Sequence, residues 1–307
     1  MNVCDGRVWS IVLAGGDGER VRPLVERWLG RHVPKQYCAF VGTRSMLEHT
    51  LDRAVRVSPP NQTVTVIARS HQTIALPRHQ ALRSGVLVLQ PFNRDTAAGV
   101  YVALSYVRAT DPGAKVAIFP SDHFVHPEDC FVQAVKQAVS VARQLDRPVL
   151  LGVEPEHLEL EYGWITPGPP IARFGARWVF AVKAFVEKPT RELAEGARRR
   201  GALWNTMVVT ATVESLWRLG WIYLPELMVH FERLVEVIGT PREADVLETV
   251  YAAVPRRNFS SDLMQRASSA LIALELTGVT WSDWGDERRI EATIRQLGKT
   301  PAFAVAV

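Results

Sequence analysis

Apolar runs of five to eight residues recur along the chain at Val8–Ala14, Val64–Ala68, Val86–Gln90, Val116–Pro120, Val149–Val153 and Val179–Val186. Their length and apolar content predict buried strands. Between them, Ser45–Val57, Thr96–Ala109 and Cys130–Leu145 read as helices. Strands alternating with helices imply right-handed crossovers and a Rossmann-like α/β fold, with a mostly parallel mixed sheet covered by helices on both faces. From about residue 190 the pattern turns helical, at Arg191–Arg200, Thr212–Leu219, Pro225–Val237 and Ala244–Ala253. A late strand, Ala270–Leu276, and a closing helix, Glu287–Leu297, follow. Thr166–Ala176, rich in Pro and Gly, reads as a loop and a candidate lid. With no repeat, low-complexity tract or linker, residues 1–307 read as one domain with a helical C-terminal lobe.

Charge narrows the partners. The formal net charge of +4 suggests an anionic ligand, but the cations are spread along the chain. The densest cluster, Arg198-Arg199-Arg200, falls at a helix C-terminus, where positive charge suits the dipole. No aromatic–basic interleaving or zinc spacing points to nucleic acid, so anionic small molecules are the expected partners. No apolar run approaches the roughly 20 residues needed to span a bilayer. Asp5 precedes the first apolar run without a signal-peptide layout, so a cytoplasmic protein is expected. Cys4, Cys38 and Cys130 are too few and too scattered for a disulfide framework or a metal knuckle.

The chemistry gathers after strand ends, where ligands bind in open α/β sheets. Leu13-Ala14-Gly15-Gly16-Asp17-Gly18-Glu19-Arg20 opens the first strand into a glycine-rich turn, and Lys35 follows in Pro34-Lys35-Gln36. Backbone without side chains closes around phosphate oxygens, and Arg20, Arg22 and Lys35 supply positive charge. The turn has neither the Gly-Lys-Ser/Thr ending of a P-loop nor the glycine spacing of the dinucleotide fingerprint. Asp122, after Ile118–Pro120, and Asp283, within Trp281–Gly285, form a candidate Mg²⁺ pair, since Mg²⁺ takes one or two carboxylates plus phosphate oxygens. Asp286 is a nearby competitor. Glu187 and Lys188, ahead of Pro189, suit sugar hydroxyls and a sugar phosphate, and Asn205 offers an amide. Tyr162-Gly163-Trp164 combines close backbone approach with aromatic faces, and Gln90–Ala97 lies where polar groups read a base edge.

Taken in order, these segments resemble the sugar-phosphate nucleotidyltransferases, most of all the mannose-1-phosphate guanylyltransferases, or GDP-mannose pyrophosphorylases. The matching pieces are Leu13–Leu24, Pro34–Gln36, Arg94–Ala97, Pro120–His123, Glu161–Ile165, Phe185–Pro189, Trp204-Asn205 and Trp281–Gly285, spread over roughly residues 8 to 290. The resemblance implies the nucleotide-diphospho-sugar transferase fold, with a nucleotide part over about 1–150 and a sugar-phosphate part with the helical lobe over about 151–307. It implies transfer of a guanylyl group from GTP to mannose 1-phosphate, with Mg²⁺ as cofactor and pyrophosphate released. Leu13, Ala14, Gly15, Gly16, Gly18, Glu19, Arg20, Gln90, Arg94, Asp95, Thr96 and Ala97 would hold the nucleotide. Arg20 and Lys35 would steady the pyrophosphate, and Asp122 and Asp283 the metal. Tyr162, Gly163, Glu187, Lys188 and Asn205 would hold the sugar phosphate; Arg20, Lys35, Asp122 and Lys188 form the catalytic set.

The chain departs from that pattern at Asp95, where the family commonly has Asn. It departs again at Thr206-Met207-Val208, where Ser-Gly-Met is usual, and at Glu159-Leu160-Glu161, where Glu-Thr-Gly is usual. A thymidylyl- or uridylyltransferase acting on glucose 1-phosphate or another sugar remains an alternative. Further removed are a metal-dependent glycosyltransferase and a non-catalytic nucleotide-sugar sensor. A homodimer is compatible with the sequence, which fixes no oligomeric state.

Overall fold

The computed structural model describes residues 7–78, 84–174 and 177–303. Cys4 and Asp5 lie outside them, as does Ala176. The N-terminal elements are β1 (Val8–Ala14), α1 (Arg22–Leu29), α2 (Met46–Val55), β2 (Thr63–Ala68), α3 (Gln72–Arg78), β3 (Val86–Gln90), α4 (Asp95–Thr110), β4 (Lys115–Pro120), β5 (Phe124–His126) and α5 (Glu128–Leu145). Next come β6 (Val149–Val153), β7 (Gly163–Phe174), β8 (Arg177–Glu187), α6 (Arg191–Arg199) and β9 (Leu203–Thr212). The chain continues with α7 (Val213–Tyr223), α8 (Pro225–Val235), α9 (Glu243–Ala253), β10 (Ile272–Glu275), β11 (Thr280–Ser282) and α10 (Glu287–Gln296).

Nine strands form one mixed sheet in the order β3-β2-β1-β4-β9-β6-β10-β8-β7. The first four are parallel, so the carboxyl ends of β3, β1 and β4 open on a common edge. β9 runs against both β4 and β6, which brings its start, Trp204-Asn205, to that edge. β5 and β11 form a separate antiparallel pair that carries the segments after Asp122 and before Asp283.

Alternation along β1 shows why the sheet is covered twice. Val12 faces a core with Leu47 and Leu51 of α2, Phe131 and Val135 of α5 and Ile290 of α10. Ile11 faces a second core with Tyr101 and Leu104 of α4, Trp217 of α7 and Phe231 of α8. Successive strand residues point to opposite faces, so an unbroken apolar strand needs helices on both. Helix α4, buried continuously from Ala97 to Val107, lies between the sheet and further helices, as small apolar residues on every side require. Ser45 caps α2 in a capping box with Glu48, setting the helix start at Met46.

The expected loop and lid at Thr166–Ala176 is corrected. Up to Phe174 the segment is strand β7, paired with β8 across three register shifts between Thr166 and Ala172. Pro and Gly are tolerated there because β7 lies at the sheet edge, and the irregular register takes up the missing donors. Strands β5, β9 and β11 and helices α1 and α3 were not anticipated. No helix among the described residues is long and apolar enough to cross a membrane.

Candidate active site

A cavity of about 470 Å³ runs along the common strand edge, with walls from three parts of the chain. The first wall is the turn after β1. Gly18 has φ 68°, and a Cβ there would lie 2.8 Å from the backbone nitrogen of Lys35, so only glycine fits without displacement. Gly15 is also tight, with its would-be Cβ 3.0 Å from Gln90 Oε1. Gln36, buried behind the turn, donates to the carbonyls of Ala14 at 2.9 Å and Gly16 at 2.8 Å. Those bonds fix the turn without consuming its N–H groups. Gln90, Asp95 and Thr96 continue the wall from β3 into α4.

The middle wall holds Asp122 and Asp283. Lys35 joins them: its ammonium sits 2.8 Å from Asp122 Oδ2 and donates to the carbonyls of Asp283 and Trp284. Lys35 is only 4% exposed and does not line the cavity, so its charge is satisfied by these oxygens. Asp283 is densely held. Its Oδ1 accepts from Tyr162 at 2.9 Å, the Gly285 N–H at 2.8 Å and Arg289 at 2.8 Å, and its Oδ2 from Arg20 at 3.1 Å. Burial alone would raise the Asp283 carboxyl, but Lys35, His123 and Arg289 outweigh it and keep the group below the usual carboxylate range. Asp122 follows the same balance, with burial opposed mainly by Lys35 and His123, and its net shift is also downward. Asp122 Oδ1 meets only the His123 ring, at 3.7 Å. Arg289 further bonds Glu159 at 2.7 Å and Asp286 at 3.1 Å, and its guanidinium lies 4.8 Å from the Tyr162 ring centre. Asp286 caps α10 by accepting from the Arg289 N–H, which occupies it away from the pair.

The third wall comes from the antiparallel half. β7 begins and β8 ends with Gly163 opposite Glu187, and Trp164 pairs with Trp204 at the start of β9. Tyr162 is wedged edge-on between Trp204 and Trp281, 5.1 Å from each ring centre. Glu187 Oε2 is buried with no hydrogen-bond partner among the described residues. Burial pushes its carboxyl above the ordinary value, and Lys188 only partly offsets this. An orphaned buried oxygen beside a cavity is an acceptor waiting for a ligand donor. Lys188 is more than half exposed and 3.6 Å from Glu161, which also approaches Arg20 at 3.8 Å.

The residues singled out from sequence divide into two groups. Leu13, Gly15, Gly16, Gly18, Arg20, Gln90, Asp95, Thr96, Asp122, Tyr162, Gly163, Glu187, Lys188, Asn205 and Asp283 share this one cavity. Ala14, Glu19, Arg94 and Ala97 do not line it. Arg94 instead donates to the Tyr251 and Ala252 carbonyls, satisfying the end of α9. Glu19 pairs with Arg22 in solvent, and Ala97 is fully buried in the first turn of α4. Sequence reasoning noted Met207 only as a departure from the family pattern and missed Asn258 and Ser260; all three line the same cavity. Asn258 and Ser260 come from an irregular turn in the helical lobe, and no local spacing marks them.

A model of the nucleotidyl transferase family matches residues 9–297. The chain belongs to that family. This nucleotidyl transferase chain is 25% identical over 283 residues to the mannose-1-phosphate guanylyltransferase of Escherichia coli, covering 90% of the chain and 59% of that protein. It is 29% identical over 289 residues to the xanthan biosynthesis protein XanB of Xanthomonas campestris pv. campestris (strain B100), covering 91% and 57%. The chain therefore spans less than three fifths of the length of these relatives. Among solved structures, the Thermus thermophilus protein described as a mannose-1-phosphate geranyltransferase is 29% identical with a TM-score of 0.78, over 93% of this chain and 79% of that one. A UDP-glucose pyrophosphorylase complexed with UDP-glucose, at 16% identity and a TM-score of 0.56, covers 95% of this chain and 98% of that one and shares the fold.

Proposed function

We propose that this nucleotidyl transferase forms GDP-mannose and pyrophosphate from GTP and mannose 1-phosphate. One observation carries the reading: a single cavity joins the glycine turn to Glu187, whose buried Oε2 has no partner among the described residues, with Asp122 and Asp283 between them. Such a cavity suits two phosphate-bearing substrates meeting end to end. The relatives named for mannose 1-phosphate and guanylyl transfer supply the choice of sugar and base. The parts over about 1–150 and 151–307 act as one unit, because Arg20 of the first bonds Asp283 of the second.

In this reading the turn after β1 receives the triphosphate on backbone N–H groups, and Gln90 and Asp95 face the base. Glu187 and Asn205 orient the sugar by its hydroxyls, and Lys188 meets its phosphate. An oxygen of that phosphate attacks the α-phosphorus in line; the new P–O bond forms as the bond to pyrophosphate breaks, and Arg20 neutralises the departing charge. No protein nucleophile is needed, so catalysis rests on positioning and charge neutralisation. Lys35 acts from behind, holding Asp122 against the Asp283–Trp284 backbone.

The donor set fits Mg²⁺. Among the described residues no cluster of three or more His, Cys, Asp or Glu makes a closed protein cage for a metal. Asp122 Oδ1 has no hydrogen bond among the described residues and Asp283 Oδ2 has only that from Arg20, so these two oxygens suit an ion that completes its shell with phosphate oxygens and water. Asp122 and Asp283 would hold it, and when bound it would neutralise charge on the phosphates.

Pyrophosphate release tests the reading, with GTP, UTP, dTTP, ATP and CTP each offered with mannose 1-phosphate or glucose 1-phosphate and Mg²⁺. GTP with mannose 1-phosphate is expected to be fastest. Preference for UTP or dTTP would overturn the guanylyl assignment and keep the reaction class. Release from no pair would favour a nucleotide-sugar sensor.

A further inference from the structure

Five non-glycine residues among those described have a positive φ, and three of them, Asp95, Lys188 and Met207, line the active-site cavity. Asp95 has a local remedy, since its carboxylate accepts from the Thr96 N–H and from Asn258. Met207, at φ 58°, has a long apolar side chain in a backbone conformation that favours glycine. Its position is fixed from outside.

Strand β9 bulges here. Asn205 pairs with Gly152 and Val209 with Leu150, so four steps on β9 oppose two on β6. Thr206 Oγ1 donates to the Leu151 carbonyl at 2.7 Å, and the Met207 N–H donates to Asn205 Oδ1 at 3.2 Å. The Thr206 carbonyl lies 3.2 Å from His123 Nδ1, tying the bulge to the Asp122 segment. Ser260 Oγ donates to the Met207 sulfur at 3.0 Å and fixes the thioether. Strain of this kind persists where the surroundings over-determine it, and it gathers at ligand sites.

The neighbours of Met207 define what it limits. A Cβ on Gly163 would lie 2.6 Å from Glu187 Oε2 and 3.3 Å from Asn205 Cβ, so Gly163, Glu187 and Asn205 crowd together at this end. Asn205 is bonded to Met207 directly. A group bound at this end thus has the thioether as a neighbour, and the volume the thioether fills is closed to a bulky substituent.

Resting on the reading of this end as the sugar subsite, we propose that Met207 is a specificity-determining residue. Its side chain, set in the β9 bulge beside Asn205 and fixed by Ser260, restricts the subsite to hexose 1-phosphates without bulky ring substituents. N-Acetylhexosamine 1-phosphates are excluded, by the volume that the thioether fills.

The test compares wild type, Met207→Ala and Met207→Gly for kcat/KM toward mannose 1-phosphate, N-acetylmannosamine 1-phosphate and N-acetylglucosamine 1-phosphate, using one triphosphate. The glycine variant relieves the backbone strain, so a folding failure in one variant leaves the other to decide. Both are expected to shift the ratio of N-acetylated to plain substrate at least about tenfold toward the N-acetylated sugars, in the range of pocket-volume effects. Met207→Leu is expected to keep the wild-type ratio. An unchanged ratio in the Ala and Gly variants, while wild type turns over mannose 1-phosphate, would overturn this inference alone. A wild type that uses none of the sugar phosphates would overturn the sugar-subsite reading, and this inference with it.

Discussion

The two halves of the sheet build their walls of the cavity by different means. The parallel half, β3-β2-β1-β4, offers mainly backbone: a glycine turn whose carbonyls are held from behind by Gln36. The antiparallel half offers side chains: the Glu187 carboxylate with its unpartnered Oε2, the amide of Asn205 and the thioether of Met207. A phosphate presents several equivalent oxygens, and a row of N–H groups serves it well. A sugar presents hydroxyls of differing orientation, and matching them takes individual groups that donate and accept. In the proposed reading, a single substitution should be costly at the sugar end through its side chain, and at the phosphate end where glycine geometry or the Arg20 charge is lost.

The largest effect should come where the halves meet. Asp122→Asn keeps an oxygen for Lys35 but removes the negative charge that would hold Mg²⁺ against the phosphates, so turnover should fall roughly 10²- to 10³-fold. Steady-state kinetics with a parallel melting curve checks this; near-normal turnover would remove Asp122 from the mechanism. Glu187→Gln tests the side-chain wall. kcat/KM for the sugar phosphate should fall about 10- to 100-fold, the contribution of hydrogen bonds to a charged group, with the KM for the triphosphate little changed.

The same variant carries a signature in pH. Burial raises the Glu187 carboxyl above 4.5, so the fold prefers its neutral form. The contribution of Glu187 to stability therefore declines as pH rises through 4.5 and on through the folded-state value. Glu187→Gln escapes that decline. Urea unfolding should show the variant more stable than wild type at pH 7, with the gap closing below 4.5. A gap of the same size at both ends would contradict the assignment.

On the phosphate side, Gly18→Ala should cost about 1–2 kcal/mol of stability and raise the KM for the triphosphate. Gly16→Ala is its control: a Cβ there meets nothing within 4 Å, and stability should hold. The smallest effect should be that of Arg94→Ala. It removes two bonds to the end of α9, so about 1 kcal/mol of stability should be lost with kcat/KM unchanged. A specific loss of triphosphate affinity would instead restore Arg94 to the nucleotide wall.

Legibility in the sequence followed the same division. The glycine turn, the strand ends before Asp122 and Glu187 and the helix starts were readable, because backbone contact and capping demand particular residues at particular positions. Strand β9 was not, since its bulge at Thr206–Val208 breaks the period that marks a strand. The proline- and glycine-rich edge of β7 resembled a loop for the same reason. Lys35 and Arg94 were misleading in a simpler way. A cation near a motif suggests an anion, but both are taken up by carbonyl and carboxylate oxygens of the protein itself. Asn258 and Ser260 reach the cavity from the helical lobe, and only tertiary structure brings them there.

A crystal structure with GDP-mannose and Mg²⁺ tests the two-walled site most directly. The account predicts the guanosine phosphates on the turn of Gly15, Gly16 and Gly18, the metal between Asp122 and Asp283, and the mannose against Glu187 and Asn205 beside Met207. A nucleotide sugar bound with its sugar away from Glu187 and Asn205, or with its phosphates away from the glycine turn, would contradict it.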